Sequence, residues 1–336
     1  MPDPKVCGAL LGLAIGDALG TTNEFAGMTA PPFPDIAVGP LTDIVGGGPF
    51  GVKAGQVTDD TQMACCLYGS VSSLGAFNAD DVAARYVKWA ALAFDIGNDI
   101  GKQTSKALAL VAKGEVPLEA GRIMWIDSGK RAAANGSLMR TAPIGALFAG
   151  SEQERLSAAL DDSAITHFDP RCRLACASFD AAIATAVLGE SDVTEMWQTA
   201  LDEIAVAAEL VTGDYENDEL DAAVSALTSD LHAATQSDPE LYGPEFHLHK
   251  QQGFVRIAFR LTFWELLHRA TFRDAVLDTA NRGGDADTNA AIVGALVGSR
   301  VGLDGIPAEW RSAVLDCKPD GPAVWSTAYH PKIFGC

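Results

Sequence analysis

Apolar residues recur along the chain at helical spacing, and the first such segment is apolar almost throughout. From Val6 to Ala18 small residues lie between the larger apolar ones, which predicts a buried helix that its neighbours approach closely. Residues 20–57 then change character, because they are rich in Gly, Pro and Thr and contain the run Gly46-Gly47-Gly48-Pro49. They predict a long irregular connection that carries Glu24, and loops of that length in compact domains are often functional.

Helical periodicity resumes after this connection and predicts about ten further helices, each bounded by turn residues. The first begins at about Thr58, and the others cover residues 79–93, 103–113, 151–165, 171–188, 194–211, 218–234, 254–267, 271–281 and 287–301.

Two later segments lack this periodicity. Ser237–Gln252 contains two prolines together with His247 and His249, and we expect a surface insertion there. Residues 317–336 contain three prolines and end in a cysteine, which predicts an irregular C-terminal extension. Since no stretch resembles a linker and no internal repeat is present, residues 1–336 are expected to form a single domain.

Composition and charge support a helical protein and exclude some partners. Hydrophobic residues make up 48% of the chain and aromatic residues only 7%, which favours an all-α fold over a β-sandwich or barrel. The net charge of −20 argues against nucleic acid or an anionic membrane as partner, because both bind clustered Lys and Arg. An acidic balance of this kind is most often only a solvated surface.

Cysteine usage indicates a reducing compartment. The seven cysteines are odd in number and form no C-x-x-C pair, so we expect reduced, mostly buried thiols rather than a disulfide framework. The N-terminus lacks a basic leader, and apolar runs such as Ala290–Gly298 are shorter than the roughly 20 residues that span a bilayer. We therefore expect a cytoplasmic protein.

Two short acidic segments each precede an apolar helix, and they suggest metal chemistry. They are Val57-Thr58-Asp59-Asp60-Thr61 and Gly283-Gly284-Asp285-Ala286-Asp287-Thr288-Asn289. Helix capping would explain any one of these oxygens, but it does not require four aspartates. Carboxylates that alternate with hydroxyls are typical ligands of hard cations such as Mg²⁺ and Mn²⁺. If the two segments face one another in a helical bundle, they can hold two neighbouring ions.

Six segments, in this order, resemble the motifs of the ADP-ribosylglycohydrolase family, which includes the dinitrogenase reductase-activating glycohydrolase. The resemblance spans roughly residues 5–315, and it rests on Gly8–Gly20, Thr58-Asp59-Asp60-Thr61, Asp95-Ile96-Gly97-Asn98, Asn135–Arg140, Thr166-His167 and Gly283–Thr288. It implies a compact orthogonal helical bundle with a central cleft that holds two Mg²⁺ or Mn²⁺ ions.

The resemblance also implies roles for individual residues. Asp287 resembles the ligand that bridges the two metals, Glu24 a loop glutamate that approaches them, and Asp95 the acid that meets the substrate ribose, with Asn98 beside it. We expect Glu24 or Asp95 to transfer the proton during catalysis. The implied metal ligands are Thr58, Asp59, Asp60, Asp285, Asp287 and Thr288.

Two further segments are expected to bind the substrate. Asn135, Gly136 and Ser137 resemble a turn next to the diphosphate, where a glycine lets backbone N–H groups approach an anion, although an ordinary turn would also explain Asn-Gly. His167 resembles a ligand-binding residue rather than a general base, while a capping or core histidine is the alternative.

The family implies hydrolysis of ADP-ribosyl bonds, with ADP-ribosylated arginine of a protein as the default substrate. Serine-linked ADP-ribose or a small conjugate such as O-acetyl-ADP-ribose is an alternative within the same chemistry. A metal-dependent phosphohydrolase that cuts the diphosphate, or a non-catalytic ADP-ribose-binding protein, would be a different class. We expect the protein to act as a monomer.

Overall fold

Fourteen α-helices and no β-strand form in the described part of the chain, which confirms the prediction of an all-α fold. The computed structural model describes residues 3–26, 40–95, 100–189, 191–244, 246–319 and 323–336, and for residues 94 and 95 it describes the backbone. The helices are α1 Pro4–Gly20, α2 Asp59–Leu74, α3 Ala79–Asp95, α4 Lys102–Ala112, α5 Pro117–Asp127, α6 Ala142–Leu147, α7 Glu152–Thr166, α8 Pro170–Val187, α9 Val193–Leu210, α10 Asn217–Ala234, α11 Val255–His268, α12 Phe272–Asn281, α13 Ala286–Val301 and α14 Ala308–Asp316.

Helices α1 and α13 form the centre of the fold and pack against each other more extensively than any other described pair. Glycines recur every four residues on α1, at positions 8, 12, 16 and 20, and they allow this close approach. A Cβ atom added to Gly16 would lie only 1.9 Å from the backbone oxygen of Ala290 on α13. The pairing therefore places the last turns of α1 beside the first turns of α13, at one end of the core.

Helix α8 forms a second buried layer, and it contacts α6, α7, α9, α10 and α13. Its residues are buried on nearly every side, so its sequence shows little difference between one face and another. A second, smaller apolar cluster contains Ile15 of α1, Phe272 of α12 and Trp310 of α14. Both clusters include residues of α1, so this helix is part of the core along most of its length.

The predicted helices agree with the structure to within two residues at each predicted boundary, but three helices were not predicted. These are α5, α6 and α14. In α5 the apolar residues Ile123-Met124-Trp125-Ile126 are consecutive, which hides a helical period. Helix α6 has only six residues and α14 only nine, so each is too short to show a period clearly.

The cysteine prediction is wrong for one pair, because Cys7 and Cys336 form a disulfide. The pairing brings the start of α1 to the last residue of the chain, across a sequence separation of 329 residues that no spacing rule detects. Cys65, Cys66, Cys172 and Cys176 are buried and form no disulfide, as expected of small apolar core residues.

One described segment, Pro4–Asn23, is long and apolar enough to cross a membrane. It is 89% buried inside the protein, which is typical of a core helix.

Candidate active site

The two acidic segments meet at the N-termini of α2 and α13. Thr58 is the N-cap of α2, with Asp59 and Asp60 in its first turn, and Asp285 is the N-cap of α13. The Thr288 side chain is close enough to the Asp60 carboxylate to lower its pKa, so the two helix ends lie next to each other. Since the N-terminus of a helix favours negative charge, the two helix dipoles stabilise acids at this point.

Asp17 on α1 holds the start of α2 in place, and it was not among the predicted site residues. Its carboxylate is fully buried and accepts hydrogen bonds from the Thr58 backbone N at 3.0 Å and Oγ1 at 2.8 Å. It also accepts from the Thr61 backbone N at 3.1 Å and Oγ1 at 2.5 Å. The signal in the sequence was a single aspartate within an otherwise apolar helix.

These contacts orient the Thr58 hydroxyl. Its hydrogen can point to only one acceptor at a time, and Asp17 is closer than Asp60 Oδ2, which lies at 3.1 Å. When Thr58 donates to Asp17, its lone pairs face the side on which Asp60 lies. The hydroxyl can then serve as a ligand or as an acceptor in the cleft.

The carboxylates in the cleft strongly disfavour simultaneous ionisation. Burial raises the pKa of Asp60 well above its ordinary value of 3.8, and the charge of Asp59 raises it further. Burial likewise raises the pKa of Asp287, and the charges of Asp60 and Glu24 raise it further. Burial raises the pKa of Asp17 to about 6, although its hydrogen bonds with Thr61 and Thr58 oppose that shift.

The donor set fits hard divalent cations. In the part of the chain that the structure describes, no three His, Cys, Asp or Glu side chains are gathered closely enough to hold a metal ion by themselves. Asp60 Oδ1 is nevertheless buried and makes no hydrogen bond, so this oxygen is available to a cation. Threonine hydroxyls at both helix ends add neutral oxygen donors of the kind that Mg²⁺ and Mn²⁺ accept.

Glu24 lies on a loop that is attached to the same place. It follows a 3₁₀ turn at Thr21–Asn23, is buried, and is close enough to raise the pKa of Asp287. The next residue, Phe25, donates its backbone N–H to the Gly284 carbonyl at 2.6 Å, and Gly284 donates back to the Ala26 carbonyl at 3.0 Å. The loop therefore runs beside the Gly-Gly turn that precedes Asp285.

A small pocket with a cavity volume of about 20 Å³, open to solvent, lies between this loop and the start of α2. It is lined by Glu24, Phe50, Val52, Gln56, Val57, Thr58, Asp59 and Asp287.

The Asn135 turn lies on another side of the acidic cluster. Asn135 donates its side-chain Nδ2 to Asp285 Oδ2 at 2.7 Å and its backbone N–H to the Gly253 carbonyl at 2.8 Å. Gly136 packs on the His167 ring, because an added Cβ would lie 2.9 Å from His167 Cε1. Ser137 is fully buried and accepts a hydrogen bond from Ser163 Oγ at 2.9 Å, so its side chain fixes the turn from inside.

His167 is held in its neutral form. Its Nδ1 lies 2.7 Å from the Thr166 hydroxyl, and burial lowers the pKa of the ring well below 6.5, with the charge of Arg140 adding to this. Arg140 was also not predicted; it pairs with Asp162 at 3.0 Å and donates to the Gly136 carbonyl at 3.3 Å. A buried ion pair therefore holds the turn in place through the Gly136 carbonyl.

Of the other predicted residues, Asp95 is the last residue of α3, but its side chain and the whole of Asn98 lie outside the described residues.

The segment Ser237–Gln252 reaches the site through Leu248 and His249. A Cβ on Gly284 would lie 2.5 Å from Leu248 Cδ2, and His249 Nε2 lies 2.8 Å from the Arg282 carbonyl.

The chain resembles known proteins over nearly its whole length. The family model of the ADP-ribosylglycohydrolases matches residues 2–328. The chain is 31% identical to ADP-ribosylarginine hydrolase Tri1 of Pseudomonas putida strain GB-1, over 91% of this chain and 73% of that protein. It is 27% identical to the ADP-ribosyl-[dinitrogen reductase] glycohydrolase of Rhodospirillum rubrum, over 94% and 91%. A solved structure described as an ADP-ribosylglycohydrolase-related protein complex matches with a TM-score of 0.68 at 27% identity, over 93% and 92%.

Proposed function

The chain belongs to the ADP-ribosylglycohydrolase family, and we propose from this and from its acidic cleft that it hydrolyses the bond between ADP-ribose and a protein arginine. The observation that carries the proposal is the meeting of Asp60 and Asp287 with Thr58 and Thr288 at two facing helix ends. The names of two relatives, an ADP-ribosylarginine hydrolase and an ADP-ribosyl-[dinitrogen reductase] glycohydrolase, support the substrate class.

We propose that the acidic cluster holds two divalent cations, Mg²⁺ or Mn²⁺. The residues that would hold them are Thr58, Asp59, Asp60, Asp285, Asp287 and Thr288. When bound, such cations neutralise the carboxylates, bind ribose hydroxyls and lower the pKa of water. The unpartnered Asp60 Oδ1 and the mutual repulsion of Asp60 and Asp287 support this assignment.

The remaining residues bind and orient the substrate. The Asn135 turn is linked to Asp285, so a diphosphate on the backbone of Gly136 would lie next to a ribose at the acids. His167, which is neutral, lies against that glycine and would contact the substrate without supplying charge. These contacts would hold the anomeric carbon in a fixed position relative to the acids. Fixing the reacting groups in this way lowers the barrier of the reaction, because the entropy of orienting them is lost on binding.

Glu24 is the described residue best placed to move a proton. It lines the pocket together with Asp59 and Asp287, and it lies on a loop rather than on a helix. We propose that its carboxylate accepts the proton of the attacking water or delivers it to the leaving nitrogen. Asp95 stays a candidate for the same role.

A substrate panel tests the proposal. The protein is incubated with Mg²⁺ or Mn²⁺ and with peptides that carry ADP-ribose on arginine or on serine, and with O-acetyl-ADP-ribose, and the products are identified by mass spectrometry. We expect intact ADP-ribose and unmodified arginine. Release of AMP and ribose phosphate would instead identify a diphosphate hydrolase, and binding without any product would identify a non-catalytic ADP-ribose-binding protein. The cytoplasmic location and the monomeric state stay predictions.

A further inference from the structure

Two phenylalanines near the acidic pocket are exposed to solvent, Phe50 in the pocket lining and Phe25 packed against Phe50. Phe25 is 49% exposed and Phe50 is 44% exposed, and they are the only exposed Phe, Tyr or Trp side chains among those that the structure describes. Their ring centroids lie 6.3 Å apart with an interplanar angle of 69°, so they contact each other edge to face. An exposed pair of large apolar rings is costly in water and often marks a binding surface.

The backbone holds Phe50 in the lining of the acidic pocket and Phe25 beside it. Phe25 follows Glu24 and has a φ of +58°, a left-handed conformation that costs energy for a side chain of this size. Its N–H is bonded to the Gly284 carbonyl. Phe50 lies in a turn closed by two backbone hydrogen bonds between Gly47 and Val52, and this turn rests on the 3₁₀ segment through a bond from Thr22 Oγ1 to the Gly46 carbonyl at 3.0 Å.

The position of the pair identifies the part of the substrate that it meets. Under the proposed function the diphosphate lies on the side of the Asn135 turn, which reaches the acidic cluster through Asp285. The pocket lined by Phe50 opens on Asp59 and Asp287, and its lining includes no residue of the Asn135 turn and not His167. The bond that breaks joins the ribose at the acids to the acceptor, so the acceptor leaves on the Phe50 side.

We propose that Phe25 and Phe50 form an acceptor-binding wall that stacks on the guanidinium of the ADP-ribosylated arginine. Glu24 lines the same pocket and is not among the proposed metal ligands, so its negative charge attracts a cationic acceptor. A guanidinium is planar, weakly hydrated and stacks on aromatic faces, which a hydroxyl or an acetyl acceptor does not do. The wall thus selects arginine-linked over serine-linked ADP-ribose, and this inference rests on the proposed function.

The test compares Phe50→Leu, Phe50→Tyr and the double variant Phe25→Leu/Phe50→Leu with the wild-type protein. Leucine keeps the apolar volume but removes the aromatic face, whereas tyrosine keeps the face. For an ADP-ribosylarginine peptide we expect KM to rise about two- to fivefold in Phe50→Leu and further in the double variant, as loss of an exposed cation–π contact predicts. Phe50→Tyr should behave like the wild type. Leu188→Ala, which truncates an apolar side chain that is 67% exposed on another surface, is the matched control.

Inhibition by free ADP-ribose separates this inference from the proposed function. We expect its inhibition constant to be unchanged in all variants, because ADP-ribose lacks the acceptor. If Phe50→Leu raised the inhibition constant of ADP-ribose as much as the KM of the arginine peptide, the pair would contact the nucleotide and the inference would be wrong. An unchanged KM in the double variant would also contradict it. If the wild-type protein released no arginine at all, the proposed function itself would fail, and the inference would fail with it.

Discussion

At the scale of single residues, three carboxylates occupy places where ionisation is costly. Asp17 and Asp60 are fully buried, and Asp287 is nearly so. The pKa of each is raised, and burial is the first cause in every case. Such shifts concentrate at functional sites, because a fold does not retain mutually repelling acids for stability alone.

These shifts predict how stability depends on pH. In the metal-free protein we expect the free energy of unfolding to fall as pH rises. The folded state holds protons more tightly than the unfolded state, so the stabilisation is full below the ordinary pKa of 3.8 and is lost as pH rises through about 6, where Asp17 ionises. Asp60 and Asp287 extend this loss of stability to higher pH, because their pKa values are also raised. Urea unfolding at several pH values, in the presence of a chelator, measures this dependence of the free energy of unfolding on pH.

Asp287→Asn is the matched control for this pH dependence, because it removes one of the raised carboxylates while keeping its shape. Its stability should fall less steeply with pH than that of the wild-type protein. Added Mg²⁺ or Mn²⁺ should restore stability to the wild type above pH 6 or so, since a cation replaces the lost protons. Identical slopes in the two proteins would show that Asp287 does not titrate abnormally.

Sequence reasoning recovered the contiguous acids but not the isolated ones. Asp59, Asp60, Asp285 and Asp287 come in short clusters whose composition is unusual enough to notice. Asp17 is a single acid, and its importance depends on a contact 41 residues away in sequence with Thr58. This contact forms only because α1 packs against α2, and a single sequence does not show which helices pack together.

At the scale of secondary-structure elements, the site depends on how closely α1 approaches α13. The glycine stripe of α1 lets the two backbones touch, and each helix carries site residues at that end, Asp17 on one and Asp287 on the other. A change in the distance between the helices would therefore move these acids relative to each other.

Gly16→Ala tests that dependence. Its new Cβ would lie 1.9 Å from a backbone oxygen, which cannot rotate away, so we expect the free energy of unfolding to fall by about 3 kcal/mol or more. Gly150→Ala is the control, because nothing lies within 4 Å of that Cβ and the change should be within about 0.5 kcal/mol. Equal urea midpoints for the two variants would mean that α1 and α13 do not pack this closely.

The Glu24 loop gives a second prediction at this scale. We expect Glu24→Gln to lower kcat by about 10²-fold or more, as loss of a positioned proton carrier predicts, while ADP-ribose affinity changes little. Opening of the loop would break its two backbone hydrogen bonds with Gly284. Single-turnover kinetics and calorimetric titration with ADP-ribose measure the two quantities. A wild-type rate in this variant would exclude the proton-transfer role.

Long helices were predictable because their apolar residues recur at a constant period, as in α9 and α10. The period does not show where a helix lasts less than two turns, which is why the six-residue α6 was not predicted.

At the scale of the whole molecule, the disulfide joins the two ends of the chain. Cys7 begins the central helix, and Cys336 follows a 3₁₀ turn, Pro331–Phe334, that packs on α2 through the Phe334 and Tyr68 rings. Because a single sequence shows only local spacing, this pairing could not be predicted.

Cys336→Ser should lower the free energy of unfolding by about 2–4 kcal/mol, because the cross-link restricts the unfolded chain. Activity should be nearly unchanged, since Cys7 lies about 15 Å along α1 from Asp17 at a rise of ~1.5 Å per residue. Reductant is the control: it should destabilise the wild-type protein and leave the variant unaffected. A reductant-insensitive wild type would show that the pair is not bonded in solution.

We propose that the facing acids bind two cations and that both are needed to release ADP-ribose from arginine. The most direct measurement is the rate of ADP-ribose release from an ADP-ribosylarginine peptide as a function of the Mn²⁺ bound per chain, after complete removal of metal. We predict no activity in the metal-free protein, full activity at two bound ions per chain, and neither full binding nor activity in Asp287→Asn, which should still fold. Release of ADP-ribose at the full rate by the metal-free protein, or by Asp287→Asn, would contradict the account.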